Sequence, residues 1–172
     1  MSSANNESNN NNNNTVTMEQ FDSIASKAMQ SVWNRTPYPF QCKVISHVIS
    51  MKCKPKRPEV TLLVQRTGSG KSSIYQTIGV IDGGIVLVVE NTLSLGADQA
   101  TKIRQASSQY GTVNAFQLDS IKSTSSRTNL IKYLTSLLPL SHATTFLFSS
   151  PEALLQPCWN NLIKCLVMKK TL

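Results

Sequence analysis

The run Gln65-Arg-Thr-Gly-Ser-Gly-Lys-Ser72 constrains this chain more than any other feature. Two glycines separated by a serine let the backbone turn so that successive N–H groups point inward. A helix opening at the lysine then adds its positive end. Such a cradle suits phosphate oxygens, so Thr67, Gly68, Ser69, Gly70, Lys71, Ser72 and Ser73 form a candidate nucleotide-binding set. Lys71 is placed to reach the β/γ-phosphates, and the Ser72 hydroxyl to sit on Mg²⁺ as the candidate metal ligand. The strict phosphate-loop pattern has glycine where this chain has Gln65, so the run fits a looser form of it. A loop of this type needs a strand before it and a helix behind it. The apolar run Val60–Gln65 reads as that strand, and Lys71–Gly79 as that helix. A glycine-rich turn with an exposed lysine is the plainer alternative.

The same strand-then-helix rhythm continues through the chain. Asp82-Gly-Gly84 reads as a turn into the strand Ile85–Glu90. A helix at about Leu95–Ala106, a strand at Val113–Leu118 and a helix at Arg127–Leu138 follow. A strand at Thr144–Phe148 and a helical segment around Pro157–Met168 complete the series. Near-continuous apolar strands belong to a parallel sheet covered on both faces, so residues 59–172 read as an α/β domain. Ahead of it, residues 17–58 begin with a helix capped by Thr17 and Gln20, with Phe21, Ile24, Ala25 and Ala28 at helical spacing. Pro37 and Pro39 interrupt regular helix over Arg35–Gln41, and periodicity resumes at Val44, Ile45, Val48 and Ile49. Lys52, Lys54, Lys56 and Arg57 form a basic turn, and residues 1–16 read as a disordered Asn-rich tail. At 172 residues the chain has room for one domain of ordinary size.

Charge narrows the partner. Lys and Arg number 17 against 9 Asp and Glu, a formal +8, which suits a domain that meets a polyanion. Cys42, Cys53, Cys158 and Cys165 show no C-x-x-C spacing and no secretory leader pattern, so the expectation is an intracellular, reduced protein without structural zinc. The apolar stretches are too short to span a bilayer, so no membrane partner is expected. His47 and His142 lack metal-ligand company, while Trp33 and Trp159 read as core. Hydrolysis requires carboxylates that hold the metal and orient water. Asp82 falls in a Gly-rich turn, Asp98 within a helix and Asp119 in a Ser-rich loop, and no acidic residue follows Glu152. Glu90 ends a strand and can approach the phosphates, although a solvated strand end is the plainer reading. No catalytic residue is therefore assigned.

Four blocks occur in order over most of Phe40–Leu155: Gln41; Thr-Gly-Ser-Gly-Lys-Ser with Ser-Ile-Tyr-Gln76; Ile85-Val-Leu-Val-Val-Glu-Asn-Thr-Leu-Ser-Leu-Gly-Ala-Asp-Gln99; and Phe146-Leu-Phe-Ser-Ser-Pro-Glu-Ala-Leu154. Together they resemble the first RecA-like domain of superfamily 2 helicases, most closely the RecQ-like ATP-dependent DNA helicases. The resemblance implies an incomplete phosphate-loop NTPase domain whose parallel sheet is flanked by helices. It implies ATP and Mg²⁺ as cofactors, and Gln41 as the residue that reads the adenine edge. Asn91, Thr92, Ser94, Gln99, Ser149 and Ser150 would then lie along the nucleic-acid path, with Lys102 and Arg104 adding attraction to phosphate. The implied partner is single-stranded or partly duplex DNA, with RNA as an alternative, and the implied compartment is the nucleus.

The departures from the family pattern are specific. Tyr38 stands where the family has arginine, and Gln65 and Arg66 replace a small or apolar residue and a proline. No Asp-Glu-x-His block occurs before Leu172, and the second RecA-like lobe with its arginine finger lies outside this sequence. Since translocation needs two lobes closing around ATP, the chain alone is expected not to unwind nucleic acid. A DEAD-box-like RNA helicase lobe, a degenerate binding module and a small phosphate-loop kinase are the alternative readings. The kinase is disfavoured by the absence of an arginine-rich lid.

Overall fold

The computed structural model describes residues 16–52, 60–105, 112–137 and 143–168. The Asn-rich tail up to residue 15, most of the basic turn, Cys53 and His142 lie outside the described residues. The first helix, α1 (Met18–Trp33), opens with the expected reciprocal cap: Thr17 N–H donates to Gln20 Oε1 at 2.8 Å, and Gln20 N–H to Thr17 Oγ1 at 3.4 Å. Its buried face is Phe21, Ala25, Ala28, Met29 and Val32, while Ile24, expected on that face, is exposed. Asn34 ends the helix with φ 49°, a left-handed conformation that asparagine tolerates.

The second helix, α2 (Pro39–Lys52), starts inside the segment whose prolines argued against helix. Pro39 occupies the first turn, where no intrahelical N–H partner is needed and its fixed φ suits the helix. With α3 (Lys71–Asp82), these helices close a core of Phe21, Ala25, Met29, Ile45, Ile49 and Ile74.

The sheet has three parallel strands, β1 (Gly84–Val89), β2 (Val113–Gln117) and β3 (Thr144–Ser149), in the order β1-β3-β2. In register, Phe146 stands between Val86 and Ala115. Successive β3 side chains point to opposite faces. Phe146 and Phe148 pack with Val32, Val80, Ala100 and Ile103, drawing on α1, α3 and α4 (Leu93–Arg104). Leu147 packs with Leu130 and Leu134 of α5 (Thr124–Ser136) and with Trp159, Leu162 and Leu166 of α7 (Pro157–Met168). A short helix, α6 (Pro151–Leu154), leads from β3 towards α7. The architecture is α/β with helices on both faces of a small parallel sheet. No described helix is long and apolar enough to cross a membrane.

One expected element is corrected. Val60–Gln65 forms no strand: among the described residues it pairs with none, and Val60, Leu62 and Val64 are 94%, 86% and 80% exposed. Leu63 alone of its apolar residues packs inward, against the α1–α3 core. A run of apolar residues supplies strand propensity, but an extended segment becomes a strand only when a neighbour completes its ladder.

Close approach of α3 to the sheet depends on Gly79. A Cβ there would lie 2.7 Å from Val86 Cγ2 and 2.9 Å from Phe146 Cζ, both held in the core. Gly79→Ala gains helix propensity but overpacks the α3–sheet contact, and overpacking is the larger effect. The expected outcome is a loss of about 1–2 kcal/mol, read as a lower urea midpoint at unchanged m.

Candidate functional site

The loop from Arg66 to Gly70 turns tightly into α3. Ser69 N–H donates to Arg66 O at 3.3 Å, and Gly68 and Gly70 take φ values of 79° and 82°. Because the residue capping α3 is Gly70, no side chain caps the helix, and its positive end faces the loop unscreened. Lys71 folds back so that Nζ donates to Gln65 O at 2.9 Å and Arg66 O at 2.8 Å. Cation, helix terminus and turn are thereby gathered at one place.

Gln41 ties this loop to α2. Its Oε1 accepts from Tyr38 N–H at 2.8 Å and its Nε2 donates to Gly70 O at 3.1 Å, with the residue 3% exposed. A Cβ on Gly70 would stand 2.5 Å from Gln41 Nε2, so glycine is required both by the positive φ and by this contact. A cavity of about 370 Å³ lies alongside, lined by Met29, Arg35, Tyr38, Gln41, Gly68 and Ser73 among others. Thr67 is exposed at the tip of the turn and Ser69 is buried beneath it.

Ser72 faces a different set of residues. Its Oγ accepts from Gln99 Nε2 at 3.0 Å, and the same nitrogen donates to Glu90 Oε1 at 3.4 Å. Gln99 Oε1 in turn accepts from Tyr75 Oη at 2.9 Å and Gln76 Nε2 at 2.7 Å. Glu90, read from sequence as a solvated strand end, therefore points inward. Burial lifts its carboxyl above the usual range. Burial first and the Glu90 charge second push the Tyr75 phenol up to about 12, against smaller opposing contributions from hydrogen bonds with Ser72 and Gln76. Among the described residues two buried side-chain polar atoms lack a hydrogen-bond partner, Ser69 Oγ and Glu90 Oε2. One lies in the turn before α3; the other is joined through Gln99 to the helix's second residue.

The C-terminal ends of the strands form one edge. Glu90 N–H donates to Ser149 O at 3.0 Å. Asn91, Thr92 and Ser94 follow on the exposed surface, with Leu93 and Leu95 also exposed. Ser149 is buried, and its hydroxyl donates to Ser150 O at 3.2 Å. Ser150 N–H and Oγ both donate to the Asp119 carboxylate, while Ser150 Oγ caps α6 by accepting from Ala153 N–H. Beside this pair a cavity of about 140 Å³ is lined by Asp119, Lys122, Arg127, Ser150 and Glu152 among others. Arg104 donates to Ala115 O at 2.8 Å, and Lys102 is exposed.

Of the six residues expected on a nucleic-acid path, Asn91, Thr92 and Ser94 reach the surface, whereas Gln99 and Ser149 are buried and Ser150 is partly so. The sequence reading missed two linkages, Ser72–Gln99–Glu90 and Asp119–Ser150. Gln99 was recoverable: Gly96, Gln99, Ala100 and Ile103 sit at i, i+3, i+4 and i+7, the buried stripe of α4. Asp119 carried no comparable signal, because it lies in the 3-10 turn Leu118–Ser120 and meets Ser150 only through the strand order.

A three-stranded parallel sheet with helices on both faces is compatible with a RecA-like lobe. No protein-family model matches the chain. Over 97 residues, 56% of its length, it is 33% identical to a protein of Bacillus subtilis (strain 168) named as a probable ATP-dependent DNA helicase RecS. The chain spans 17% of that protein's length.

A buried carboxyl whose folded pKa stands above its unfolded value costs stability as pH rises from the ordinary value through the folded one, and the full loss is present above it. Glu90→Gln keeps the acceptor for Gln99 and removes the charge. The variant is expected to unfold at higher urea than the parent at about pH 8, with the gap closing towards about pH 4. A gap that is the same at both pH values would show that the Glu90 charge is not the cause.

Proposed function

We propose that the chain is a nucleotide- and nucleic-acid-binding lobe of a RecQ-like DNA helicase, with the loop Thr67–Ser73 acting as its phosphate loop. The observation that carries this reading is the position of the two unpartnered buried polar atoms. Ser69 Oγ lies in the turn before the uncapped start of α3, and the carboxyl that carries Glu90 Oε2 is joined through Gln99 to Ser72 in the helix's first turn, the place where a phosphate and its cation need ligands. ATP and Mg²⁺ fit the residues there. The backbone from Gly68 to Gly70 and the helix terminus would hold phosphate oxygens, Lys71 would exchange its loop carbonyls for the β/γ-phosphates, and the Ser72 hydroxyl would hold the cation. The bound cation would neutralise charge on the phosphates. Gln41 and the neighbouring cavity would accommodate the base, with Arg35 and Tyr38 lining it.

The named helicase relative supports DNA as the partner. Asn91, Thr92 and Ser94 present exposed amide and hydroxyl groups just beyond β1, at the strand ends where open α/β sheets place their ligands. Contacts to sugar and phosphate from such groups are independent of sequence, and the net charge of +8 adds a salt-sensitive attraction.

Titration of a labelled ATP analogue with Mg²⁺ into the chain and into Lys71→Ala tests the nucleotide reading. The expected result is saturable binding that weakens by about tenfold or more in the variant, as loss of a charged phosphate contact requires. A folded parent chain that fails to bind, or a variant that binds equally well, would overturn it. Single-stranded DNA is expected to bind more weakly as salt rises, and Asn91→Ala/Thr92→Ala to reduce that binding while leaving the ATP analogue unaffected.

A further inference from the structure

Glu90 is fixed from two sides. Its backbone is pinned by Ser149 O at 3.0 Å, and its side chain by Gln99 Nε2 on Oε1. The helix α4 covers it: a Cβ built at Gly96 would stand 3.5 Å from Glu90 Oε2, an ordinary contact distance. Oε2 is shielded from solvent and meets no donor among the described residues.

The amide of Gln99 has one workable orientation. Its oxygen accepts from Tyr75 and Gln76, and its nitrogen donates to Ser72 Oγ and Glu90 Oε1. Reversing it would set an oxygen against the Glu90 carboxylate and its NH₂ against the Gln76 NH₂. Gln99 therefore works as a spacer that holds the Ser72 hydroxyl and the Glu90 carboxylate within 3.4 Å of a single nitrogen. Ser72 Oγ receives a hydrogen bond from Gln99, which leaves a lone pair to offer elsewhere. Because the two N–H bonds of one amide diverge by about 120°, these oxygens lie on different sides of Gln99 Nε2 and are not placed to contact one small cation together. They can share one if the carboxylate acts through a coordinated water, and Mg²⁺ characteristically retains several of its waters.

We propose that Glu90 is a cation-positioning carboxylate: it accepts a hydrogen bond from a water coordinated to the divalent cation held at Ser72, with Gln99 setting the distance. The inference rests on the nucleotide-binding reading above and assigns Glu90 a role that the motif resemblance does not supply. Glu90 Oε1, the oxygen on the Ser72 side, meets one long donor, Gln99 Nε2 at 3.4 Å, and so keeps a lone pair for such a water. Groups that orient a metal's outer shell typically change metal affinity by 10- to 100-fold when removed.

The test compares the affinity of a labelled, non-hydrolysable ATP analogue in excess EDTA with its affinity in saturating Mn²⁺, for the parent chain, Glu90→Gln and Glu90→Asp. The ratio of the two affinities is the metal-dependent gain, and it requires no turnover. The expected result is a gain about tenfold smaller in Glu90→Gln. The EDTA affinity should be unchanged or higher, and part of the gain should return in Glu90→Asp. Equal gains in parent and Glu90→Gln would overturn the inference and leave the nucleotide reading intact. An equal loss with and without metal would also overturn it, because the network would then serve only to shape the loop. A folded parent chain that binds the analogue in neither condition would overturn both. Urea midpoints measured on the same samples verify that each variant is folded.

Discussion

Every residue of β3 is buried, and the rest of the molecule is arranged around that fact. A parallel strand with neighbours on both edges has no solvent face, so helices must cover both sides. Phe146 and Phe148 claim α1, α3 and α4, while Leu147 claims α5 and α7. The strand's hydroxyls are matched as well: Thr144 donates to Gly79 O on one face, and Thr145 meets Tyr133 Oη on the other. Parallel pairing also sends the C-terminal ends of all three strands to one edge. Glu90, Asp119 and Ser149, from three different parts of the sequence, therefore become neighbours of the segments that follow them.

The second organising contact is smaller. Gln41 joins the start of α2 to Gly70 at the start of α3 through a single buried amide. It gives the glycine-rich turn a fixed distance from the helical layer in front of the sheet. Trp33 reinforces the join, donating from Nε1 to Thr77 Oγ1 at 3.0 Å. The helices before the loop thus act as a brace for it.

Much of this architecture was legible in the residues, and the misses share a physical cause. Local chemistry identified the Thr17–Gln20 cap, β1 and β3 to within a residue, and the span of α7. Boundaries moved where a single side chain decided them. Thus α5 begins at Thr124 because Ser123 accepts from Ser126 N–H, and α2 begins at Pro39 because a first-turn proline loses no helical bond. What local patterns could not supply was pairing. Val60–Gln65 has the apolar run of a strand, yet a ladder is a property of two segments, and among the described residues no second segment meets it. The glycine-rich loop was legible as a turn leading into a helix. The inward turn of Glu90 was not, because it depends on Gln99, nine residues on in α4, reaching back to its carboxyl.

Glu90 also shows why stability and function must be weighed separately here. A carboxylate oxygen shielded from water and lacking a donor is a net cost to the fold, and the charge on it raises that cost. Gln99 offsets only part of it, since its hydrogen bond reaches Oε1 alone. Tyr75 stands in the same network as a neutral phenol and brings no positive charge. Lys71, one residue before Ser72, is anchored on carbonyls of its own loop, so the nearest cationic side chain in sequence is engaged elsewhere. A glutamine at position 90 would satisfy the same geometry at lower energetic cost. Under the proposed cation-positioning role, the cost of the carboxylate is offset when positive charge arrives at the start of α3.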